Sequence, residues 1–360
     1  MQVTKKQMVA DWVKKSIRSG VIQPGDKIPS ESEITERFGV SRGSVRQSIQ
    51  ILVTEGILES RQGIGTFVCN APRSESSTLA FVCYRNYSYI FPEMIHGFNS
   101  VLQRNRRRMI LGETRYGLDL ERKILLDLIE NGVSGIAITP VEGDQGQNNL
   151  ELFEKIENRG IPIVLLDNDL GCDQLDSVVQ DDFLGGRQAG DTLINQGHRR
   201  IGIVYSTNYH PKLQRMKGVK NALNSVGLEL ESRHIVGIKG QSSARRAYLQ
   251  IRNYVYNSKN LPTAFVCSSD DEALMLMRNL KRRGMKIPED VSIISFDNSE
   301  ISRLSRPTLT TMDHPSMHMG ELAANVLIGR LAISGFRTHT RIVVEPNLIS
   351  RKSITGISVE

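Results

Sequence analysis

Three polar side chains stand at the ends of apolar runs, where they could bind a ligand together. Asp167, Ser269 and Asp297 each end a short run of apolar residues, and Asp270 follows Ser269 directly. Arg215 begins the helical segment after another such run and could donate a bidentate pair of hydrogen bonds. Ligands of open α/β sheets bind beyond the carboxyl ends of the strands, where carboxylates can accept hydrogen bonds from vicinal hydroxyl groups. The set therefore predicts a site for a polyol, while a helix cap or a turn explains any single Asp equally well.

Two aromatic residues, Tyr89 and Phe91, follow the first apolar run of the same region. Ligand sites are commonly lined by aromatic rings with a few placed polar groups, so this pair is a candidate for stacking on the face of a sugar. Packing into the core explains the pair equally well.

A different chemistry is indicated near the N-terminus, where arginines share one face of a predicted helix. Ser41 begins that helix, and Arg42, Ser44 and Arg46 lie on its outward face. Arginine is the side chain best suited to bidentate contact with guanine in the DNA major groove. Residues 1–70 carry ten Lys/Arg and seven Asp/Glu, which gives +3 of the net charge of +7. A basic balance favours an anionic partner.

The elements around these arginines predict a winged helix-turn-helix. An apolar face over 8–17 predicts a first helix that ends at Gly20, and Ser30 with Glu33 forms a capping box that begins the second helix. Two strand-like pieces between residues 57 and 69 are joined by a glycine-rich turn and predict a hairpin. Such an arrangement places the third helix in the major groove.

From residue 78 onward, short apolar runs alternate with amphipathic stretches. The clearest runs are 78–84, 134–140, 161–167, 200–206, 263–270 and 291–297. Runs that are apolar on both faces and separated by helices predict parallel strands covered on both sides. We therefore expect a doubly wound α/β unit with eight or nine strands in two sheets, joined to the N-terminal domain by a linker at 70–77.

Composition and the absence of known motifs narrow the class of protein. At 360 residues, 39% hydrophobic and 24% charged, the chain is typical of a globular protein of two or three domains. It has neither a long apolar run nor the core of a signal peptide, so we expect a cytoplasmic protein with no membrane partner. The four cysteines follow neither metal-site nor disulfide spacing, and the sequence has no P-loop, no HExxH motif and no GxSxG elbow between a strand and a helix. We expect no catalytic residue, no metal and no cofactor.

The run 24–68 resembles the DNA-binding domain of the GntR family of bacterial regulators. It carries the PSE entry to the second helix, the FGVSR turn and the RQGxGTFV wing of that family. The resemblance implies a DNA-binding domain over 1–69, with base contacts from the start of the third helix and a minor-groove contact from the wing tip. The expected DNA-binding residues, including one phosphate contact near the N-terminus, are Lys5, Ser30, Glu31, Arg42, Gly43, Ser44, Arg46, Gln62 and Gly63. A solvated helix face is the other interpretation of the two arginines.

Residues 78–353 resemble the effector domain of the LacI/GalR family, which is related to periplasmic sugar-binding proteins. The matching runs are 165–206, 213–223, 265–274, 288–300, 307–323 and 345–353. The resemblance implies a body of two subdomains over 78–360 that binds an effector and forms the dimer. The implied effector contacts are Asp167, Arg215, Ser269, Asp297 and His314, although the family often has Asn where Ser269 stands. The implied crossings between subdomains lie near Asp173–Gln174, near Asp297–Ser302 and in the later 330s.

A GntR-type head on a LacI-type body is the arrangement of the arabinose repressors of Gram-positive bacteria. It implies a transcription repressor that binds operator DNA as a dimer and is released by a small carbohydrate. L-arabinose, another pentose, a hexose or a phosphorylated sugar all remain open as the effector. The alternatives are a sugar-sensing activator, or a binding protein for a phosphorylated sugar or a nucleoside. GntR heads also occur on aminotransferase-like bodies, which need more chain than this, and on all-helical metal-binding bodies, which the apolar runs argue against.

Overall fold

The computed structural model of the chain describes residues 5–18, 20–54, 57–61, 64–69, 78–87, 89–143, 146–239, 244–332 and 338–357. These residues form a small helical head and a large body with two mainly parallel sheets. The predicted fold class, a winged helix-turn-helix with a two-subdomain doubly wound α/β body, is confirmed. Within the described residues, no helix is both long and apolar enough to cross a membrane.

The head contains three helices and a hairpin. They are α1 (Lys5–Arg18), α2 (Glu31–Phe38), α3 (Arg42–Thr54), β1 (Leu58–Arg61) and β2 (Gly65–Val68), with β1 and β2 antiparallel. The capping box forms at the start of α2, because Ser30 Oγ accepts a hydrogen bond from the Glu33 amide and Glu33 Oε2 accepts one from Ser30 N. Gly39 ends α2 with a left-handed φ of 59°, which glycine adopts without steric cost. This turn directs α3 so that Val45 and Leu52 are fully buried in the core of the head.

The first subdomain of the body is built on a six-stranded sheet with the order β13-β7-β6-β5-β3-β4, in which every pair is parallel. Its elements are β3 (Thr78–Cys83), α4 (Phe91–Arg104), β4 (Arg108–Glu113), α5 (Leu118–Glu130), β5 (Ile136–Ile138), α6 (Leu150–Glu157), β6 (Ile163–Leu166), β7 (Asp176–Gln180), α12 (Ser316–Ala332) and β13 (Arg341–Val344). Alternate residues of β3 enter two different apolar clusters, Leu79 and Phe81 in one, Ala80 and Val82 in the other. The sheet is therefore covered on both faces.

The second subdomain repeats this architecture with the strand order β14-β12-β11-β10-β8-β9, in which only β14 is antiparallel to its neighbour. Its elements are α7 (Asp182–Asn195), β8 (Ile201–Ser206), α8 (His210–Ser225), β9 (Ile235–Ile238), α9 (Ala244–Asn257), β10 (Ala264–Cys267), α10 (Asp270–Arg282), β11 (Ser292–Asp297), α11 (Glu300–Leu304), β12 (Thr310–Asp313) and β14 (Leu348–Ile349). The carboxyl ends of β8, β10 and β11 carry the polar residues of interest.

Along the described residues, the chain passes between the two subdomains at 180–182, 313–316 and 344–348. The predicted crossings near Asp173–Gln174, near Asp297–Ser302 and in the later 330s are wrong. Asp173–Gln174 precedes β7, which pairs with β6, so the chain is still in the first subdomain at that point. Asp297–Ser302 precedes β12, which pairs with β11, so the chain is still in the second subdomain there. The third precedes β13, which pairs with β7 of the first sheet.

Helices α7 and α8 pack so closely that their backbones touch. A Cβ atom built on Gly186 of α7 would lie 2.0 Å from Arg215 O of α8, so no other residue fits without moving the helices apart. This approach brings Asp182, in the first turn of α7, beside the guanidinium of Arg215.

Candidate functional sites

The start of α3 presents a polar face to solvent, as expected of a recognition helix. Arg42, Gly43 and Arg46 are exposed and Ser44 is half-buried, while Val45 between them is fully buried. Ser41 Oγ accepts a hydrogen bond from the amide of Ser44, which caps the helix. The helix is therefore buried on one side and exposes its polar side to solvent.

Two of the expected DNA-binding residues contact each other. Arg46 donates Nε to Glu31 Oε1 at 3.2 Å and Nη2 to Glu31 Oε2 at 3.1 Å, a bidentate pair that joins α3 to the first residue of α2. Arg46 nevertheless keeps 75% of its side chain exposed. Glu31 thus fixes the direction of a guanidinium that remains accessible.

The other expected DNA contacts differ in what the structure shows of them. Ser30 caps α2 and precedes Glu31, so it has a structural role at the start of that helix. Lys5 is the first residue of α1. Gln62 and Gly63, at the tip of the wing, lie outside the described residues.

In the body, Arg215 is the centre of a buried group of charges. It is 3% exposed and donates Nε to Asp182 Oδ1 at 2.6 Å, and Nη1 to Asp297 Oδ1 at 2.9 Å and to Ser268 O at 2.6 Å. Its guanidinium also lies 4.5 Å from the ring centroid of Phe296. Burial alone would lower the pKa of Arg215, but the two carboxylates hold it well above its ordinary value. Arg215 is therefore a fixed cation at the carboxyl edge of the second sheet.

Asp167 faces this group from the first subdomain. Its Oδ1 lies 2.9 Å from His314 Nε2, and its Oδ2 accepts a hydrogen bond from the hydroxyl of Tyr209. Burial alone would raise the pKa of Asp167 and lower that of His314, but the hydrogen bond and attraction between them reverse both shifts. The charge of Arg215 on the other wall also contributes to the lowered pKa of Asp167. Asp167 and His314 therefore stabilise the charged forms of each other.

Both strand-end carboxylates sit on unusual backbone. Asp167 has a φ of 68° and Asp297 a φ of 98°, values that L-residues rarely adopt. Such positions cost energy and are concentrated at functional sites. The structure thus brings together Asp167, Arg215, Asp297 and His314 at one cleft between the subdomains.

The remaining expected effector residues take other roles in the structure. Tyr89 donates its hydroxyl to Asp297 Oδ2 across the cleft, so it meets the site through its oxygen. Phe91 is 3% exposed and packs edge-on against Tyr84, with the ring centroids 4.8 Å apart, as expected for a core residue. Ser269 accepts a hydrogen bond from the amide of Glu272 and caps α10, which matches the helix-cap interpretation.

Several residues of the cleft were not anticipated from the sequence. Tyr209 stands just before α8, and its hydroxyl accepts a hydrogen bond from Tyr84 at 2.6 Å. Lys212, one turn before Arg215, donates Nζ to Glu272 Oε1 at 2.8 Å. Tyr209 and Lys212 follow the strand end of β8, so the same rule that selected Asp167 could have selected them.

Asp270 lies next to the bound pair of Arg215 and Asp297. Its two oxygens accept hydrogen bonds from the hydroxyls of Ser295, Ser299 and Thr311 and from the amide of Ser299. Burial, and to a smaller extent the charge of Asp297, raise the pKa of Asp270 to about 7. Asp270 therefore gains and loses its charge near neutral pH.

We expect Asp270→Asn to remove part of the pH dependence of stability. Because the folded pKa lies above the ordinary value of an Asp, the contribution of Asp270 to stability is lost as pH rises through 7, by about 1.4 kcal/mol between pH 6 and 8. An Asn amide can donate to the Ser295 and Thr311 hydroxyls, which rotate to accept. Its oxygen still accepts the hydrogen bond from the Ser299 amide. Urea unfolding at both pH values measures the difference. An unchanged pH slope in the variant would show that Asp270 is not the titrating group.

Comparison with known proteins identifies the same two parts. Residues 5–68 match the family of bacterial regulatory proteins of the gntR type, and residues 191–354 match the family of periplasmic binding protein-like domains. The arabinose metabolism transcriptional repressor of Geobacillus stearothermophilus is 30% identical over 98% of this chain and 97% of its own length. The repressor of the same description from Halalkalibacterium halodurans is 26% identical over 97% and 96% of the two chains. A solved transcriptional regulator CelR-cellobiose complex has a TM-score of 0.69 at 24% identity, covering 87% of this chain and 91% of that one.

A winged helix-turn-helix joined to a two-subdomain body with a polar cleft defines a transcription regulator controlled by a ligand. The chain belongs to the family of bacterial transcriptional repressors that join a GntR-type DNA-binding head to a periplasmic binding protein-like body.

Proposed function

We propose that the protein represses transcription by binding operator DNA as a dimer and is released by a neutral sugar bound between its subdomains. The observation that carries the proposal is that hydrogen bonds join the subdomains at Asp167 of the first and at Asp297 of the second, where Asp297 also holds Arg215. Carboxylate and guanidinium groups placed on opposite walls are suited to hold the hydroxyl groups of one small polyol. A repressor of this kind acts in the bacterial cytoplasm, and we propose no catalytic activity for it.

The charges of the cleft favour a neutral sugar over a phosphorylated one. At the strand ends of the second sheet, Arg215 is held by the carboxylates of Asp182 and Asp297, and Lys212 by that of Glu272. A phosphate would have to compete with these carboxylates and would lie near the negative charge of Asp297. Vicinal hydroxyl groups can instead donate to the carboxylates directly. The names of the arabinose repressors similar to this chain make L-arabinose the first sugar to test.

The sugar acts by changing the balance between open and closed bodies. A sugar that contacts both walls favours closure, and closure changes the spacing of the two winged helices relative to the half-sites of the operator. The ligand can shift operator affinity only by the difference in its own affinity for the two states, typically about 1–3 kcal/mol. We propose that the sugar lowers operator affinity. In a sugar-sensing activator the sugar would raise it.

The test is operator binding by the purified protein with and without sugars. An inverted-repeat operator is titrated by fluorescence anisotropy in the presence of L-arabinose, D-xylose, D-ribose or D-ribose 5-phosphate. We expect a neutral pentose to weaken operator binding by about 5- to 150-fold and the phosphorylated sugar to have no effect. A response to the phosphorylated sugar alone would replace the proposed effector class, and a sugar that tightens binding would make the protein an activator or a co-repressed regulator.

We propose that exposed apolar side chains on β4 and α9 form the contact between the two bodies of the dimer. Ile110 and Leu111 are each 38% exposed on β4, an edge strand of the first sheet. Leu249 and Tyr256 are 40% and 47% exposed on one face of α9 in the second subdomain. Exposed apolar edge strands and patches are typical of interaction sites.

We expect the double substitution Ile110→Asp and Leu111→Asp to convert the dimer to a monomer. Burying two new carboxylates in an apolar contact is costly, and a single head offers too little surface for specific operator binding. Sedimentation velocity and operator titration measure both effects. Leu304→Asp, at an exposed apolar position outside these patches, is the control and should remain a dimer. A double variant that stays dimeric would place the contact elsewhere.

A further inference from the structure

Asp167 and Asp297 each have both carboxylate oxygens hydrogen-bonded to other groups of the protein. Asp297 accepts from Arg215 through Oδ1 and from the Tyr89 hydroxyl through Oδ2. Asp167 is bound to His314 through Oδ1 and accepts from the Tyr209 hydroxyl through Oδ2. In each carboxylate, one partner is a basic side chain and the other is a tyrosine hydroxyl.

Both tyrosine hydroxyls bridge the two subdomains. Tyr89 follows β3 of the first sheet and reaches Asp297 of the second, where its oxygen also accepts a hydrogen bond from the amide of Asp270 at 3.2 Å. Tyr209 directly precedes α8 of the second subdomain and reaches Asp167 of the first. A third contact, from the His210 amide to Glu142 Oε2 at 2.7 Å, crosses in the same region. The closed cleft is thus held by the protein's own groups.

These hydroxyls are fixed as donors. Tyr84 donates to Tyr209 at 2.6 Å, which leaves the Tyr209 proton for Asp167. Burial and the neighbouring Asp carboxylates raise the pKa values of both Tyr89 and Tyr209, so each keeps its proton at neutral pH. A phenol that donates to a buried carboxylate makes the same hydrogen bond that a sugar hydroxyl would make.

We propose that Tyr89 and Tyr209 are internal competitors of the effector: their hydroxyls occupy Oδ2 of Asp297 and Oδ2 of Asp167, and a sugar must displace them to bind. This inference rests on the proposed sugar site and adds that the two residues set the affinity of that site. Without sugar, the two tyrosine bridges hold a fraction of the molecules closed. A bound sugar then replaces the hydrogen bonds of the tyrosines to the carboxylates with its own. The threshold for release is then tuned by how strongly the tyrosines hold the carboxylates.

Removing each hydroxyl tests the proposal, because competition and direct contact give opposite signs. In Tyr89→Phe and Tyr209→Phe the ring remains, but the competing hydrogen bond is lost. We expect each variant to bind L-arabinose about two- to tenfold more tightly by isothermal titration calorimetry, which corresponds to the net value of one hydrogen bond. Tyr254→Phe is the matched control, since Tyr254 packs against Phe265 in the core of the second subdomain and should leave the affinity unchanged.

A second measurement needs no sugar. Small-angle X-ray scattering of the full chain compares the wild type with the double variant Tyr89→Phe, Tyr209→Phe, and we expect the variant to be the more open of the two. Weaker L-arabinose binding by either single variant would overturn the proposal, because the hydroxyl would then serve the bound sugar. Identical scattering of wild type and double variant would also overturn it. A wild type that ignores L-arabinose would count against the proposed effector, while the scattering comparison would still decide whether the bridges hold the cleft.

Discussion

Arg215→Ala is expected to give a repressor that binds its operator but no longer responds to sugar. The substitution removes the donor shared by Asp182 and Asp297, so both carboxylates are left buried without a cation. Breaking a buried ion pair from one side typically costs about 3–5 kcal/mol, so the unfolding free energy of the body should fall by that order. The head lies in a separate part of the chain and its own core does not include Arg215. Operator binding should therefore survive at a temperature where the body is still folded.

Operator titration with and without L-arabinose, together with urea unfolding, measures the two effects of Arg215→Ala. Arg187→Ala is the matched control on the neighbouring helix, because Arg187 is 51% exposed and its pair with Asp191 spans 3.6 Å at the surface. A surface pair of this kind contributes at most about 1 kcal/mol, so the control should keep both stability and response. If Arg215→Ala instead lost operator binding while still taking up sugar in calorimetry, Arg215 would have to be removed from the effector site.

Arg46→Ala should weaken specific operator binding by about 1–3 kcal/mol, the usual value of a base contact. The residue stands in the first turns of α3, and Glu31 directs its guanidinium without burying it. The loss should be confined to the operator, because non-specific binding depends on phosphate contacts rather than on base edges. Competition between operator and unrelated DNA at several salt concentrations separates the two kinds of contact.

Glu31→Ala is the companion variant for the same pair. It leaves the charge of Arg46 in place but frees its orientation, so specificity should decrease while affinity for unrelated DNA increases, since a negative charge is removed near the phosphates. Equal weakening on every DNA by Arg46→Ala would identify Arg46 as a phosphate contact.

The head could be predicted in detail because its signals are local. A capping box at Ser30 and Glu33, a left-handed Gly39 and the glycine-rich hairpin each determine the backbone within a few residues. The strand-end rule also placed Asp167, Arg215 and Asp297 at one cleft correctly, because the carboxyl ends of parallel strands share an edge.

The missed features depend on contacts between distant residues. The crossings were misplaced because β7 and β12 are short and begin with the polar Asp176 and Thr310, so neither has the apolar pattern of a strand. Tyr209 was missed because its role depends on Asp167, 42 positions away in the chain, rather than on its own neighbours. From the sequence, Phe91 could equally have been a sugar contact or a core residue. Its contact with Tyr84 in the folded structure decides for the core.

The interleaving of the two sheets has a consequence for how the chain is made. Residues up to Gln180 supply most of the first sheet, but its helix α12 and its edge strand β13 come after nearly the whole of the second subdomain. On the ribosome the head is therefore made before the body, and neither sheet of the body has all its strands until residues 316–349 have been made. A nascent chain that has passed the head but not this stretch carries a finished DNA-binding part beside an unfinished body.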